Sequence, residues 1–378
     1  MKKVVLSAMA LAVGSFVMAQ GNESEVTNGG IGSSGSVFTA TDATVNVDQK
    51  GMDNTSVVRM NGTNNDAKIV QRGTSNTNSA QSGGKNNYTN VVQRGNENYT
   101  RSFVVGEENK VFIDQVGSLN NNARRGPSPN ATTEIRGDRN TVRSTQDGNE
   151  NLDVTYITGD DNKATIAQNG NNNQVWNTVT EDNGGIFNTS KTSQSGNDNS
   201  TENNQSGEDN NIFVKQVGSF NTSTNTQDGK TSLANVDQGG LNHSSTITQN
   251  TNWNDKAFVV QRGENQTSTI IQSSGADNKA DVDQRGMNHT STILQSGDMD
   301  RAFVEQKGDG NMSSIDQDTS GFQLDIARVM QNGAGNNSDI LQRGSGGNNA
   351  NVTQTGNSHT STIATYGTSN AVVVMQAN

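Results

Sequence analysis

Residues 280–310 read ADVDQRGMNHTSTILQSGDMDRAFVEQKGDG, and Gln-x-Gly occurs in them at Gln284, Gln295 and Gln306, eleven residues apart each time. The tripeptide recurs nineteen times, first at Gln49 and last at Gln354. Degenerate copies sit at Met60, Val104, Ile135, Ile157, Val179, Gln249, Gln272, Gln317, Thr365 and Gln376, with a poor one near Arg124. Together they make about thirty units from Val45 onward. A right-handed coiled coil also repeats every eleven residues. Each unit here, however, carries a glycine and a cluster of Asn, Ser and Thr, with one aliphatic residue in place of a helical seam. Inside a unit the alternation has period two: Ala280, Val282 and Gln284 share one face, Asp281, Asp283 and Arg285 the other. A unit is therefore read as a strand of about five or six residues followed by a glycine-led turn.

Two strands make a rung of about 22 residues, and stacked rungs make an all-β solenoid. From residue 234 to 376 the small inward residue alternates: Ala234, Ser245, Ala257, Ser268, Ala280, Ser291, Ala302, Ser313, Ala327, Ser338, Ala350, Ser361. The two strands of a rung thus differ, and like stacks on like. About fifteen rungs would form a rod roughly 70 Å long.

Composition agrees with a polar core. Of 378 residues only 28% are hydrophobic and 4% aromatic, with mean hydropathy −0.79. That is too little for ordinary globular cores, while a strict period and only two prolines argue against disorder. An inward amide without partners costs roughly 1–3 kcal/mol. One amide per rung at one site can bond to those above and below. The glutamines in that column are Gln49, Gln71, Gln93, Gln115, Gln146, Gln168, Gln194, Gln216, Gln238, Gln261, Gln284, Gln295, Gln306, Gln331, Gln342, Gln354 and Gln376. A second amide column at the turn uses Asn54, Asn65, Asn76, Asn98, Asn120, Asn162, Asn210 and Asn311. The dry contact between sheets falls to Val47, Ile69, Ile166, Ile247, Val282, Ile293, Val304 and Val352.

The amino end, MKKVVLSAMALAVGSFVMAQ, has two lysines, an apolar run and a small-residue site. It reads as a secretory signal over residues 1–19, cut before Gln20; about 14 apolar residues are too few to span a bilayer. Without Lys2 and Lys3 the net charge of −11 becomes −13, which disfavours nucleic acid and anionic membranes. There is no cysteine, hence no disulfide framework.

These residues resemble the curlin repeat, Ser-x5-Gln-x-Gly-x2-Asn-x-Ala-x3-Gln. Residues 301–311, RAFVEQKGDGN, and 273–286, SSGADNKADVDQRG, carry its second half, and Gln49 to Gln71 shows both halves loosely, with Asn65, Ala67 and Gln71 in place. The likeness covers about 85–90% of the chain. It implies a secreted subunit of extracellular functional amyloid, the curli fibres of biofilm matrix, whose amyloid core is the glutamine ladder. It also implies self-association, a nucleator subunit, an outer-membrane export pore, and no membrane insertion. The chain departs from the family by having about three times the usual number of repeats, and several units replace the key Gln. Residues 20–44, rich in Gly and Ser, lie where the family carries an export-targeting peptide; residues 45–378 form the repeat solenoid.

Other motifs carry less. Pro127 and Pro129 fall in the worst-matching unit and point to a bulged turn. The excess between Val179 and Gln194 (EDNGG) and between Gln317 and Gln331 (part of DTSGFQL) should loop outside the stack. Gly30-x-Gly32-x-x-Gly35 lacks the strand and helix of a dinucleotide site. His243, His289 and His359 occupy the Asn turn site, two and three rungs apart, about 10 and 14 Å, too far to share a metal. Arg72, Arg94, Arg262, Arg285 and Arg343 point to solvent among scattered carboxylates. Nothing suggests an enzyme, a cofactor or a metal. The competing reading is a monomeric binding solenoid, an ice-binding protein or an adhesin. Thr-Ser-Thr-Ile at Thr267, Thr290 and Thr360 would present paired threonines, but on rungs expected not to be consecutive, leaving no continuous face.

Overall fold

The computed structural model describes residues 23–28, 32–122, 133–180, 186–250, 253–319 and 323–378. Every regular element among them is a β-strand. The chain winds as a β-solenoid of about 14 turns, with ~22 residues per turn. The described residues divide into two compact units between Val154 and Thr155. The signal sequence expected over residues 1–19, and its cleavage site, lie outside the described residues.

Within each unit alternate strands pair in parallel, so the chain builds two sheets at once. In the first unit Thr44–Met52 pairs with Asp66–Thr74, which pairs with Tyr88–Asn96. The intervening strands Thr55–Thr63, Thr77–Lys85 and Tyr99–Glu107 form the other sheet. Strands Glu23–Asn28 and Ser34–Thr41 come from the segment placed before the repeats in sequence, and they join the same two sheets. In the second unit one sheet runs from Lys163–Asn171 to Ala371–Ala377, the other from Gln174–Thr180 to Thr360–Thr368.

Strand Lys279–Met287 shows why these residues extend. Ala280, Val282 and Gln284 are buried, while the residues between them are not. The strand is nine residues long, more than the five or six expected, because the glycine belongs to it. Gly286 pairs with Gly308 and Met287 with Asp309. The turn comes afterwards, at Asn288, whose φ is 56°. Most turns place such a left-handed residue directly before the Asn site, including Asp53, Ser75, Glu97, Leu119, Phe220 and Thr231.

In the second unit Ala234, Ala257, Ala280, Ala302, Ala327 and Ala350 stack in one sheet. Ser245, Ser268, Ser291, Ser313, Ser338 and Ser361 stack in the other. Beside them a valine column from Val236 to Val352 and an isoleucine column from Ile247 to Ile363 belong to one apolar cluster. Fully burying one such side chain stabilises by about 1.5–3 kcal/mol.

Insertions leave the register intact. Asn122 pairs with Thr100, but Thr133 pairs with Ser102, so nine extra residues enter within one strand. Asn121–Asn122 and Thr133–Arg136 thus pair with one and the same strand, Tyr99–Glu107, where the sequence count had two units. That removes half a turn from the sequence count of about fifteen; Pro127 and Pro129 lie outside the described residues. Lys163 pairs with Thr189 and Arg301 with Ile326, absorbing four and three extra residues. Residues 181–185 (EDNGG) and 320–322 also lie outside the described residues.

The glycine and the left-handed site respond oppositely to substitution. A Cβ on Gly286, at φ +124°, would lie 1.9 Å from Gly308 O. Thr231 is a β-branched residue at φ 61°, where an L side chain costs roughly 1–2 kcal/mol. Gly286→Ala is expected to lower the thermal midpoint, and Thr231→Gly to raise stability by about 1 kcal/mol, both read by denaturant unfolding.

Candidate functional site

Each inward glutamine ends a run of three buried positions in its strand and faces its counterpart one turn away. In the first unit Gln49 Nε2 donates to Gln71 Oε1 at 2.7 Å, Gln71 to Gln93 at 2.8 Å, Gln93 to Gln115 at 2.9 Å and Gln115 to Gln146 at 2.8 Å. In the second unit the column runs Gln168, Gln194, Gln216, Gln238, Gln261, Gln284, Gln306, Gln331, Gln354 and Gln376, with every step at 2.8–3.0 Å. Gln295 and Gln342 belong to a separate column in the opposite sheet, from Gln205 through Gln227, Gln249, Gln272, Gln295 and Gln317 to Gln342. Every bond donates from the earlier turn to the later one.

The second amide hydrogen crosses to the other sheet. Gln284 Nε2 donates to Thr267 O at 3.0 Å and Gln295 Nε2 to Lys279 O at 3.1 Å. Each glutamine thus ties its own sheet along the stack and staples it to the facing one. Spacing alone gave no signal for this second bond. The first unit's second sheet has Met60, Ser82 and Val104 at the site, all buried. Gln81 begins a Gln-x-Gly tripeptide, yet Ser82 pairs with Met60 and Gly84 with Gly62. Gln81 therefore faces outward. In the second unit Gln205 pairs with Val179, and Gln205 Oε1 has no partner among the described residues because valine has no donor.

The turn asparagines form two edge columns. Asn76 N and Nδ2 both donate to Asn54 Oδ1, at 3.1 and 3.0 Å, and Asn76 Nδ2 reaches Gly95 O at 2.8 Å. Asn98 and Asn120 continue this edge, and Asn65 starts the other, receiving Asn87 N and Nδ2. Asn162 Oδ1 accepts Asn188 N, Asn210 N donates to Asn188 Oδ1, and Asn311 Oδ1 accepts Asn336 N. Since Nδ2 donates to the glycine carbonyl of the next turn, the Asn and Gly columns are one construction.

Val47, Ile69, Ile166, Ile247, Val282, Ile293, Val304 and Val352 are all buried. Elsewhere the middle inward position is polar, which the repeat pattern did not signal. Asn203 Nδ2 donates to Asn177 Oδ1 at 3.0 Å and to Thr192 Oγ1 at 2.9 Å, and Asn225 Nδ2 donates to Asn203 Oδ1 at 2.9 Å. In the first unit Asn78 links Ser56 and Thr100 one position nearer the strand start.

Two histidines imitate asparagine. His243 Nε2 lies 3.2 Å from Gly239 O and His289 Nε2 lies 3.0 Å from Arg285 O, so that nitrogen carries the proton. Their Nδ1 atoms accept Gln266 N and Asn311 N from the following turn. Burial lowers both imidazole pKa values below the ordinary 6.5. His359 occupies the same edge, with Nε2 3.0 Å from Thr355 O. Among the described residues no three His, Cys, Asp or Glu could hold a metal.

The outer faces carry mixed charge. Arg72 pairs with Asp48, Arg94 with Asp114, Arg262 with Asp237, Arg285 with Asp283 and Arg343 with Asp316; such exposed pairs contribute little. One face corrects the sequence reading. Thr222, Thr224 and Thr226 pair with Ser244, Thr246 and Thr248, Ser244 and Thr246 with Thr267 and Thr269, and those with Thr290 and Thr292. The units at Thr267 and Thr290 are adjacent in one sheet, because units two apart share a sheet, so four consecutive strands carry an uncharged hydroxyl face. Thr360 lies beyond Met312 and Asn337. Of the Gly30-x-Gly32-x-x-Gly35 match, Gly30 lies outside the described residues and Gly35 is in a strand.

Replacing Gln284, Gln306 and Gln331 together by alanine strands buried carbonyls on adjacent turns. A loss of about 1–3 kcal/mol per site is expected, read by denaturant unfolding. Protonating His243 or His289 would turn an acceptor toward a backbone N–H. Because folding lowers both pKa values, stability is complete above pH 6.5 and declines as pH falls toward the folded values, where the unfolded chain binds more protons. Thermal midpoints should fall with acid over that range, and His243→Asn/His289→Asn should flatten the dependence.

No curated protein matches the chain. The family model of the curlin associated repeat matches residues 286–318, across strands Thr290–Gln295 and Arg301–Asp309, whose inward Gln295 and Gln306 belong to the two glutamine columns. That match, on a β-solenoid of ~22 residues per turn, supports assigning the chain to the curlin family.

Proposed function

We propose that the protein is the structural subunit of an extracellular, curli-like amyloid fibre of the biofilm matrix, with a part in surface adhesion. The supporting observation is the one-directional, in-register stacking of identical amides, a pattern that another copy can extend without new chemistry. Repeat family and solenoid alike are structural rather than enzymatic. Secretion through a signal sequence, passage through an outer-membrane pore and seeding by a nucleator subunit belong to the same reading and follow from the curlin resemblance.

A second reading, a monomeric binding solenoid, draws on the four-strand hydroxyl face from Thr222 to Thr292. Strand spacing of about 4.8 Å and side-chain repeats of about 6.7 Å give a flat lattice of hydroxyls suited to ordered water.

One preparation separates the two. Mature protein held at micromolar concentration is expected to form thin, dye-binding fibres with a reflection near 4.8 Å. A sample that stays monomeric for days and depresses the freezing point below the melting point supports the second reading instead.

A further inference from the structure

In the first unit one turn edge opens into a pocket of about 410 Å3 lined by Asn86, Glu108, Lys110, Arg139 and Thr141, a volume within the range of small-molecule sites. Three successive turns build it. Asn86, Glu108 and Arg139 are the left-handed residues of their turns, at φ 55°, 59° and 58°, and all three are exposed. The asparagine that follows each one, Asn87, Asn109 or Asn140, is buried. The next residue starts a strand, so Tyr88, Lys110 and Thr141 stand side by side in register. Two rows of side chains, with about 4.8 Å from turn to turn, thus run along the edge on either side of the turn asparagines. The insertion after Asn122 hides this in the sequence, since Lys110 and Thr141 lie farther apart in the chain than other paired residues of this sheet.

The lining holds two cations, one carboxylate, one amide and one hydroxyl, and no apolar residue. Lys110 has no ion-pair partner among the described residues, while neighbouring Lys85 pairs with Glu107 and Asp138 Oδ1 accepts Glu107 N. Beside Lys110 the Tyr88 and Phe112 rings pack with centroids 5.5 Å apart, and the Arg143 guanidinium lies 4.8 Å from the Phe112 centroid. An apolar ligand gains little from such a lining. A phosphate group, carrying up to two charges, would meet the like charge of Glu108. A single carboxylate is matched by Lys110 and Arg139, ring hydroxyls by Asn86, Thr141 and Glu108, and the C–H face of a sugar by the Tyr88 ring.

We propose that this pocket binds the uronic-acid units of an acidic polysaccharide, with Lys110 and Arg139 taking the carboxylate and Glu108 accepting from a sugar hydroxyl. The site lies within the first unit, and its occupancy does not depend on fibre formation.

Mature protein titrated calorimetrically with the trisaccharide of galacturonic acid is expected to bind it saturably, at least tenfold more tightly than the neutral trisaccharide of galactose. Lys110→Ala should weaken binding tenfold or more. Lys215→Ala, the same loss of charge at an exposed position of the second unit, should leave it unchanged. Absence of saturable binding, equal affinity for the neutral sugar, or equal losses in the two variants overturns the proposal. Inorganic phosphate is the second probe: it should compete poorly with the trisaccharide, and Glu108→Gln should improve its competition several-fold. Phosphate that displaces the trisaccharide from the unsubstituted chain at equal concentration reveals a general anion site and overturns the saccharide reading, as does a Glu108→Gln variant without that gain.

Discussion

A primary amide buried in a thin core has two hydrogens and one carbonyl to satisfy, and the structure meets that demand with one arrangement repeated. A glutamine inside a column accepts from the turn before, donates to the turn after, and gives its remaining hydrogen to a backbone carbonyl across the core, as Gln284 does to Thr267 O. Identical residues at identical heights are a consequence. A neighbour shifted by one residue would present an outward side chain, and a neighbour without an acceptor would strand the donor. Parallel pairing and the placing of insertions both follow from keeping these amides aligned.

The glycine and asparagine columns are the same constraint seen at the edge. Gly286 approaches the next turn so closely that a Cβ would meet Gly308 O at 1.9 Å. The Gly95 carbonyl presented by such an approach is what Asn76 Nδ2 uses. The left-handed residue that turns the chain before each asparagine carries the local cost. Many are Asn or Asp, which tolerate that conformation, while Leu119, Phe220, Thr231 and Met299 are held there by the bonds on either side.

Much of this was legible in the chain because inward positions repeat with period two and units with period eleven. What was not legible is which units share a sheet. Gln-x-Gly at Gln81 has the right letters in the wrong phase, and only the pairing of Ser82 with Met60 shows it facing out. The insertion after Asn122 split one strand into what looked like two units. The threonines at 267 and 290 looked separated because intervening units occupy the other sheet. Nor did spacing reveal the cross-sheet hydrogen bond, since it joins residues 15 to 20 apart, a distance the eleven-residue period does not mark. The polar links around Asn203 escaped for a simpler reason: an Asn among so many others looks like a turn residue.

Direction is the property that hydrogen bonding adds to the hydrophobic seam. Stacked valines and isoleucines are indifferent to which end is which, so apolar contact alone would admit copies joined either way. A column in which every Nε2 points toward the carboxyl end is not indifferent, because reversing one copy places two donors together and leaves two acceptors apart. In an interior where an unmet polar group costs roughly 1–3 kcal/mol, that mismatch recurs at each glutamine and turn asparagine meeting at the joint. The side chains that let a chain poor in apolar residues fold are therefore also the ones that would give an assembly of such chains its polarity.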